Sequence, residues 1–210
     1  MKKQLILLAL TFLVTNNMLS QSSLIKKSKM NTKIETATLA NGCFWCTEAI
    51  FQRLKGVETV KSGYTGGKLI NPTYNDITTG LTEHAEAIQI KFDASEISFQ
   101  EILEVFFSTH DPTTKNKQGF DVGTQYRSAI FYHNETQKLI AENFIKELTE
   151  AHVFENKIVT EISKADIFYI AEEYHQNYYN NNKTQGYCVA VINPKLDKFL
   201  KKFKNKLKEN

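Results

Sequence analysis

Gly42-Cys43-Phe44-Trp45-Cys46 places a thiol, two large aromatic rings and a second thiol within about one helical turn. A β-prone run, 35–41, leads into it, and an amphipathic run, 47–54, leads away. The sequence therefore predicts a strand that delivers Gly42 and Cys43 and a helix that begins at Phe44, runs to about Leu54 and stops at Gly56. A cysteine at such a turn meets the free N–H groups and positive end of the helix, which favour thiolate over thiol. Trp45, the only tryptophan, lies two places after Cys43. An activated sulfur beside an apolar wall suits chemistry on a small substrate with an apolar part.

Working outward, Val57 to Tyr64 alternates apolar and polar residues as a strand does. Gly63, Gly66 and Gly67 then open a long loop to about Glu83, and loops of this length inside a domain are usually functional. His84 to Asp93 reads as the next strand, with Ala85 and Ala87 on one face and Glu86, Ile88 and Ile90 on the other. Ser98, with Glu101 three residues on, caps a helix to about Thr109. A second long loop, 110–125, precedes a strand from Tyr126 to Tyr132. Asn134 caps a helix to about His152, with Leu139, Ile140, Phe144, Ile145 and Leu148 as its apolar stripe. A strand over 159–162, a helix over 166–177, a short apolar run over 189–192 and a basic helix opened by Pro194 complete the reading. The order β–α–β–β–α–β over 36–132 is the split β–α–β arrangement of ferredoxin-like folds. The expected class is α+β: a ferredoxin-like core with additional C-terminal helices and two long functional loops, in one catalytic domain, 36–210.

The chain has 210 residues, 41% of them hydrophobic, which suffices for one domain with a proper core. Its net charge is +3, and lysines crowd residues 195–208. That weak balance, with no aromatic–basic platform and no Gly-rich phosphate loop, argues against nucleic acid. Residues 1–23 have the layout of a cleaved secretory signal: Lys2 and Lys3, an apolar run over 5–14, then Ser20-Gln21-Ser22-Ser23. The run is shorter than the ~20 apolar residues of a membrane span. Residues 24–35 read as a polar linker, and the mature protein is expected outside the cytoplasm, periplasmic or extracellular. Three cysteines in an exported chain leave at least one thiol outside simple structural pairing, which points to redox chemistry.

Five strings now occur in order: Gly42-Cys43-Phe44-Trp45, Gly63-Tyr64-Thr65-Gly66-Gly67, Asn71-Pro72-Thr73-Tyr74, His84-Ala85-Glu86-Ala87 and Gly123-Thr124-Gln125-Tyr126-Arg127-Ser128. Together they resemble the peptide-methionine (S)-S-oxide reductases, the class A methionine sulfoxide reductases, over residues 36–200. The resemblance implies reduction of methionine-S-sulfoxide, protein-bound or free, by a monomer with no bound cofactor or metal and a thioredoxin-like dithiol protein as electron donor. It also implies that Glu86, Tyr74 and Tyr126 bind the sulfoxide oxygen and that Asp121 is a further polar residue of the pocket. Cys188, in Gly186-Tyr187-Cys188, matches a recycling cysteine, and His175 a family segment in which a structural role is expected.

The chemistry of these residues suits that reaction. A sulfoxide needs a nucleophile for sulfur, a proton for oxygen and a dry pocket for its methyl group. Cys43 supplies the first, although a reference pKa of about 8.5 leaves little thiolate at neutral pH. Phe44 and Trp45 can wall the methyl group. Glu86, on an otherwise apolar strand, can stay protonated as the acid, and the two phenols can steady the oxygen as charge develops. The product on the enzyme is a sulfenic acid on Cys43. Here the chain departs from the commonest family pattern, which has glycine where Cys46 stands. Cys46 lies one helical turn from Cys43 and is the nearer resolving cysteine, with Cys188 as the other candidate. A general thiol–disulfide oxidoreductase using Cys43 and Cys46, and a metal site built from the three cysteines and a histidine, are the competing readings.

Overall fold

The alternating strand Ala85–Asp93 is the axis of the sheet, and its two faces bury different things. Ile88, Ile90 and Phe92 join the main core, while Ala85 and Ala87 join a small second cluster with Ala40, Ala129 and Phe131. Glu86 belongs to the same alternating row as Ile88 and Ile90, so its carboxyl points toward the helical layer on that face.

The computed structural model describes residues 33–209. The expected leader, 1–23, and residues 24–32 of the expected linker lie outside them. In chain order the elements are β1 (Ile34–Asn41), α1 (Phe44–Phe51), β2 (Val57–Thr65), α2 (Tyr74–Thr78), β3 (Ala85–Asp93), α3 (Phe99–Ser108), β4 (Lys117–Gln118), β5 (Asp121–Val122), β6 (Ser128–Tyr132), α4 (Glu135–Glu150), β7 (Glu161–Lys164), β8 (Tyr169–Ile170), α5 (Tyr178–Asn181) and α6 (Asn193–Lys202). The main sheet has the order β7-β6-β1-β3-β2-β8. β3 runs antiparallel to both β1 and β2, with Ala37 and Val60 each opposite Ile90, and β6 runs antiparallel to β1. β1 and β2 are therefore parallel with one strand between them, the split β–α–β unit, and the class is α+β as expected. β7 extends the sheet parallel to β6, and β8 closes the other edge against β2. α1 packs across β1, β2 and β3, α3 lies on β1, and α4 lies on α3, β6 and β7.

Local chemistry sets several boundaries. Ser98 accepts from Glu101 N–H and Glu101 returns a carboxylate to Ser98 N–H, a reciprocal cap for α3. Asn134 Oδ1 caps α4 by accepting from Gln137 N–H at 2.9 Å.

Several expectations need correction. The residues 166–177 are not a helix: they hold β8 and a 3₁₀ turn, Glu173–His175. The cause is tertiary. Gln176 is buried and reads the edge of β2, accepting from Ser62 N–H at 3.1 Å and donating to Ser62 O at 3.0 Å and Ala171 O at 2.9 Å. A helix through this segment would forfeit those bonds. The loop after β2 contains α2, whose reciprocal Thr73–Asp76 cap was readable in Thr73-Tyr74-Asn75-Asp76. The run 189–192 lies in a π-helical turn, Cys188–Ile192, that flows into α6 ahead of Pro194. The linker is shorter than expected, since Ile34 and Glu35 already belong to β1. α1 also stops at Phe51, because Leu54 is drawn into a bridge with Leu207 near the C-terminus.

Gln176→Leu keeps the volume and removes three buried hydrogen bonds. It is expected to destabilise the domain by about 2–4 kcal/mol, read as a lower urea midpoint at unchanged slope. An unchanged midpoint would show that this clip contributes nothing.

Candidate active site

Gly42 takes φ +95°, and a Cβ there would lie 2.6 Å from the Gln118 side chain. Only glycine fits, and the chain turns sharply enough to make Cys43 the residue that precedes α1. Cys43 is 8% exposed, Cys46 is 3% exposed one turn on, and both are free thiols. They share one buried cluster with Cys188, and each thiol shifts the other's ionisation. A cleft of roughly 240 Å³ opens over the two sulfurs, between the β4–β5 hairpin on one side and Tyr187, Val191 and Lys195 on the other.

The first N–H of α1, that of Phe44, does not reach a sulfur. It donates to Glu86 Oε2 at 3.1 Å. Glu86 is 2% exposed, and burial pushes its pKa up to about 8 against the single stabilising N–H, with Asp121 and Cys46 adding to the rise. Burial likewise pushes the Cys43 thiol well up, with Cys46 and Glu86 adding to it, so Cys43 rests as a thiol. This corrects the expectation of a thiolate favoured by the helix start: the helix N–H is taken by a carboxyl and desolvation dominates. Cys46 is held below the usual thiol range, first because Cys43 donates to it and then by the charge of Lys195. The two thiols titrate as a coupled pair, with Cys43 raised and Cys46 lowered within it.

The phenols come from the two long connections. Tyr74 opens α2, its N–H donates to Glu172 Oε1 at 2.8 Å, and burial, then Glu86 and Cys43, push its phenol up to about 12. Tyr126 ends a 3₁₀ turn, Thr124–Tyr126, and burial, then Glu86 and Tyr74, push it up as well. Glu86, Tyr74 and Tyr126 are therefore brought together at Cys43, all three as proton-bearing groups at neutral pH. Asp121, on β5, accepts from Tyr187 O–H at 2.7 Å across the mouth of the cleft. Cys188 is fully buried in one cluster with Cys43 and Cys46, and its thiol is raised by burial and then by Cys46.

The two rings expected to wall a methyl group differ. Trp45 is half-buried and borders the sulfur cluster, whereas Phe44 is 1% exposed and packs into the main core against Tyr64 and His175. Trp45 is held on three sides. Its Nε1–H donates to His175 Nδ1 at 3.0 Å, Tyr178 stacks on it at 3.7 Å and 7°, and Tyr187 meets it edge-on at 5.8 Å. Tyr178 is fixed in turn by Glu48 of α1, 2% exposed, which accepts from Asn177 N–H at 2.8 Å and Tyr178 N–H at 3.3 Å. Burial raises Glu48 to about 7. His175 rests neutral, lowered by burial, and its packing role is the structural one expected.

Sequence reading missed Tyr187, Tyr178, Glu48 and Lys195. Tyr187 had a signal, since it adjoins Cys188. Glu48 had one too, as a charge on an otherwise buried helix. Tyr178 is one of nine tyrosines and carried none. Among the described residues, no three His, Cys, Asp or Glu side chains are arranged to hold a metal ion.

A family model described as "Peptide methionine sulfoxide reductase" matches residues 35–208. The "Peptide methionine sulfoxide reductase MsrA" of Saccharolobus solfataricus is 55% identical over 175 residues, 83% of this chain and 98% of that protein. The fold is similar to the reduced form of Mxr1 from Saccharomyces cerevisiae, with a TM-score of 0.67 and 36% identity over 74% of this chain and 90% of that one. It is also similar to methionine sulfoxide reductase A of Corynebacterium diphtheriae, with a TM-score of 0.64 and 33% identity over 72% of this chain and 76% of that one. A thiol-bearing helix start, a ferredoxin-like core and these likenesses over most of the chain agree: the chain belongs to the peptide methionine sulfoxide reductase family and is an oxidoreductase.

Proposed function

We propose that the enzyme reduces the S epimer of methionine sulfoxide, protein-bound and free, by attack of Cys43 on the sulfoxide sulfur, and that Cys46 resolves the product. The observation that carries the reading is the convergence of Glu86, Tyr74 and Tyr126 on Cys43, with the Glu86 carboxyl neutral at neutral pH. The sulfoxide oxygen accepts hydrogen bonds from the two phenols and a proton from Glu86, which makes the sulfur electrophilic. Cys43 attacks the sulfur as its thiol proton passes to the Glu86 carboxylate left by that transfer, so the site ends with the proton it began with. The oxygen passes from substrate sulfur to Cys43 sulfur, methionine leaves, and a sulfenic acid remains.

Cys46 then attacks that sulfenic acid, its thiolate favoured by Lys195, and water leaves as the disulfide forms. A thioredoxin-like dithiol protein returns two electrons and restores both thiols. Cys188, buried beside Cys46, is the second candidate for resolution or relay. Thiols carry every electron in this cycle, so no metal or bound cofactor enters it. A single chain carries each group named, which supports action as a monomer. Export is supported by the charged start, apolar middle and polar exit of residues 1–23.

On separated epimers, the wild type is expected to reduce the S sulfoxide to methionine and to leave the R sulfoxide intact, with Cys43→Ser inactive on both. Turnover by Cys43→Ser, followed by product chromatography, would remove the nucleophile assignment. Cys46→Ser should form one equivalent of methionine per enzyme and then stall with a thioredoxin-like reductant. Continued cycling by Cys46→Ser, with stalling by Cys188→Ser, would transfer the resolving role to Cys188. Because the Glu86 acid must be protonated, kcat should fall as pH rises through about 8. Glu86→Gln should lose roughly 10²–10⁴-fold in kcat and lose that limb of the profile. A mutant profile that keeps the limb would assign it to another group.

A further inference from the structure

Phe120 is 98% exposed, and among the described residues no other phenylalanine is exposed. It lines the cleft whose floor is Cys43 and Cys46. Its position is built, not loose. Lys117 pairs with Val122 and Gln118 with Asp121, so Gly119-Phe120 is the whole of a two-residue turn, with Gly119 at φ +61°. A turn of that kind requires glycine first and is indifferent to an aromatic ring second. The hairpin is pinned from three directions. Gln118 exchanges hydrogen bonds with the backbone of Asp111 at 3.2 and 3.1 Å, Gly123 N–H donates to Asn116 O at 2.9 Å, and Asp121 is tied to Tyr187. A large ring is thus held in water at the rim of the sulfur cleft by a turn that has no local need of it.

We propose that Phe120 is a specificity-determining residue: it receives the apolar side chain next to an oxidised methionine in a polypeptide. The inference rests on the proposed reduction of protein-bound and free sulfoxide at Cys43. When the methionine side chain enters the cleft, the polypeptide backbone stays at its mouth, and a neighbouring side chain falls on the rim. Methionines sit among apolar residues, so a damaged segment brings apolar neighbours with it. Such a neighbour and the Phe120 ring leave water together, which favours the polypeptide without touching the reaction centre.

The test compares wild type with Phe120→Ser, which suits the turn, using dithiothreitol as reductant. The substrates are a short peptide with S-methionine sulfoxide flanked by leucines, the same peptide flanked by serines, and free S-methionine sulfoxide. Phe120→Ser should lower kcat/KM for the leucine peptide by roughly five- to tenfold, the fold-change of one desolvated apolar contact, mostly through KM. The serine peptide and free sulfoxide should stay within about twofold, below the worth of such a contact. An equal loss on both peptides, or no loss on either, overturns the proposal. A loss seen only when a thioredoxin-like protein replaces dithiothreitol also overturns it, and would give the ring to the reductant's docking face. If the wild type fails on every S sulfoxide, the proposed reaction fails instead of the rim contact.

Discussion

A carboxyl group buried against the first turn of a helix is the constraint that shapes this site. Strand alternation puts Glu86 in the same row as Ile88 and Ile90, facing the helical layer, and the one bond it receives there is the Phe44 N–H. Among the described residues no lysine or arginine forms an ion pair with it. A charge so placed would face a desolvation penalty of several kcal/mol, so the group keeps its proton. Two consequences follow from that single contact. The carboxyl becomes an acid available at neutral pH, and the helix N–H that would have steadied a Cys43 thiolate is already engaged. Glu86 and Cys43 are both protonated at rest because burial in one dry place penalises either charge, and the one helix N–H there goes to the carboxyl.

The C-terminal third of the domain holds this arrangement in position. Glu48 grips the backbone at Asn177 and Tyr178, more than 120 residues away in sequence. Tyr178 and His175 then fix the plane of Trp45, while Glu172 accepts from both Tyr74 N–H and Tyr64 O–H. Trp45 belongs to α1 and Tyr74 to α2, so one returning segment fixes the Trp45 ring and the Tyr74 phenol relative to each other. Side chains locked by packing and hydrogen bonds in this way give a site its precision.

Much of this was legible beforehand, and the boundary between what was and was not is physical. The strand, turn and helix around Cys43 follow from glycine, cap residues and apolar spacing, all local signals. The same holds for the Ser98 and Asn134 caps and for Glu86 on an apolar strand. Residues 166–177 were misread because their hydrogen bonds go to β2, about 110 residues away in sequence, and Gln176 looks like any helix former. The π-helical turn at Cys188 was invisible for the same reason: its shape answers to the sulfur cluster it packs against. Tyr187 and Tyr178 act by holding the plane of Trp45, and no spacing rule encodes a plane. The thiolate expectation failed on a subtler point, since the helix start was there but its donor had another acceptor.

The resting state of Cys43 also bears on its reaction with oxidants. Susceptibility of a cysteine to oxidation follows thiolate character and exposure. Cys43 has little of either, being a raised-pKa thiol that is 8% exposed. A peroxide meeting it finds a poor nucleophile. In the mechanism we propose, a sulfoxide brings its own remedy: its basic oxygen takes the proton of Glu86 and the hydrogen bonds of Tyr74 and Tyr126, which makes its own sulfur attractive to a thiol. Reactivity is thereby tied to the presence of the substrate instead of being carried permanently by the cysteine. Cys46, held lower within the pair, is 3% exposed, so burial screens it from solvent as well. An arrangement with Cys43 as the standing thiolate would react faster with every electrophile, including those the cell most needs it to ignore.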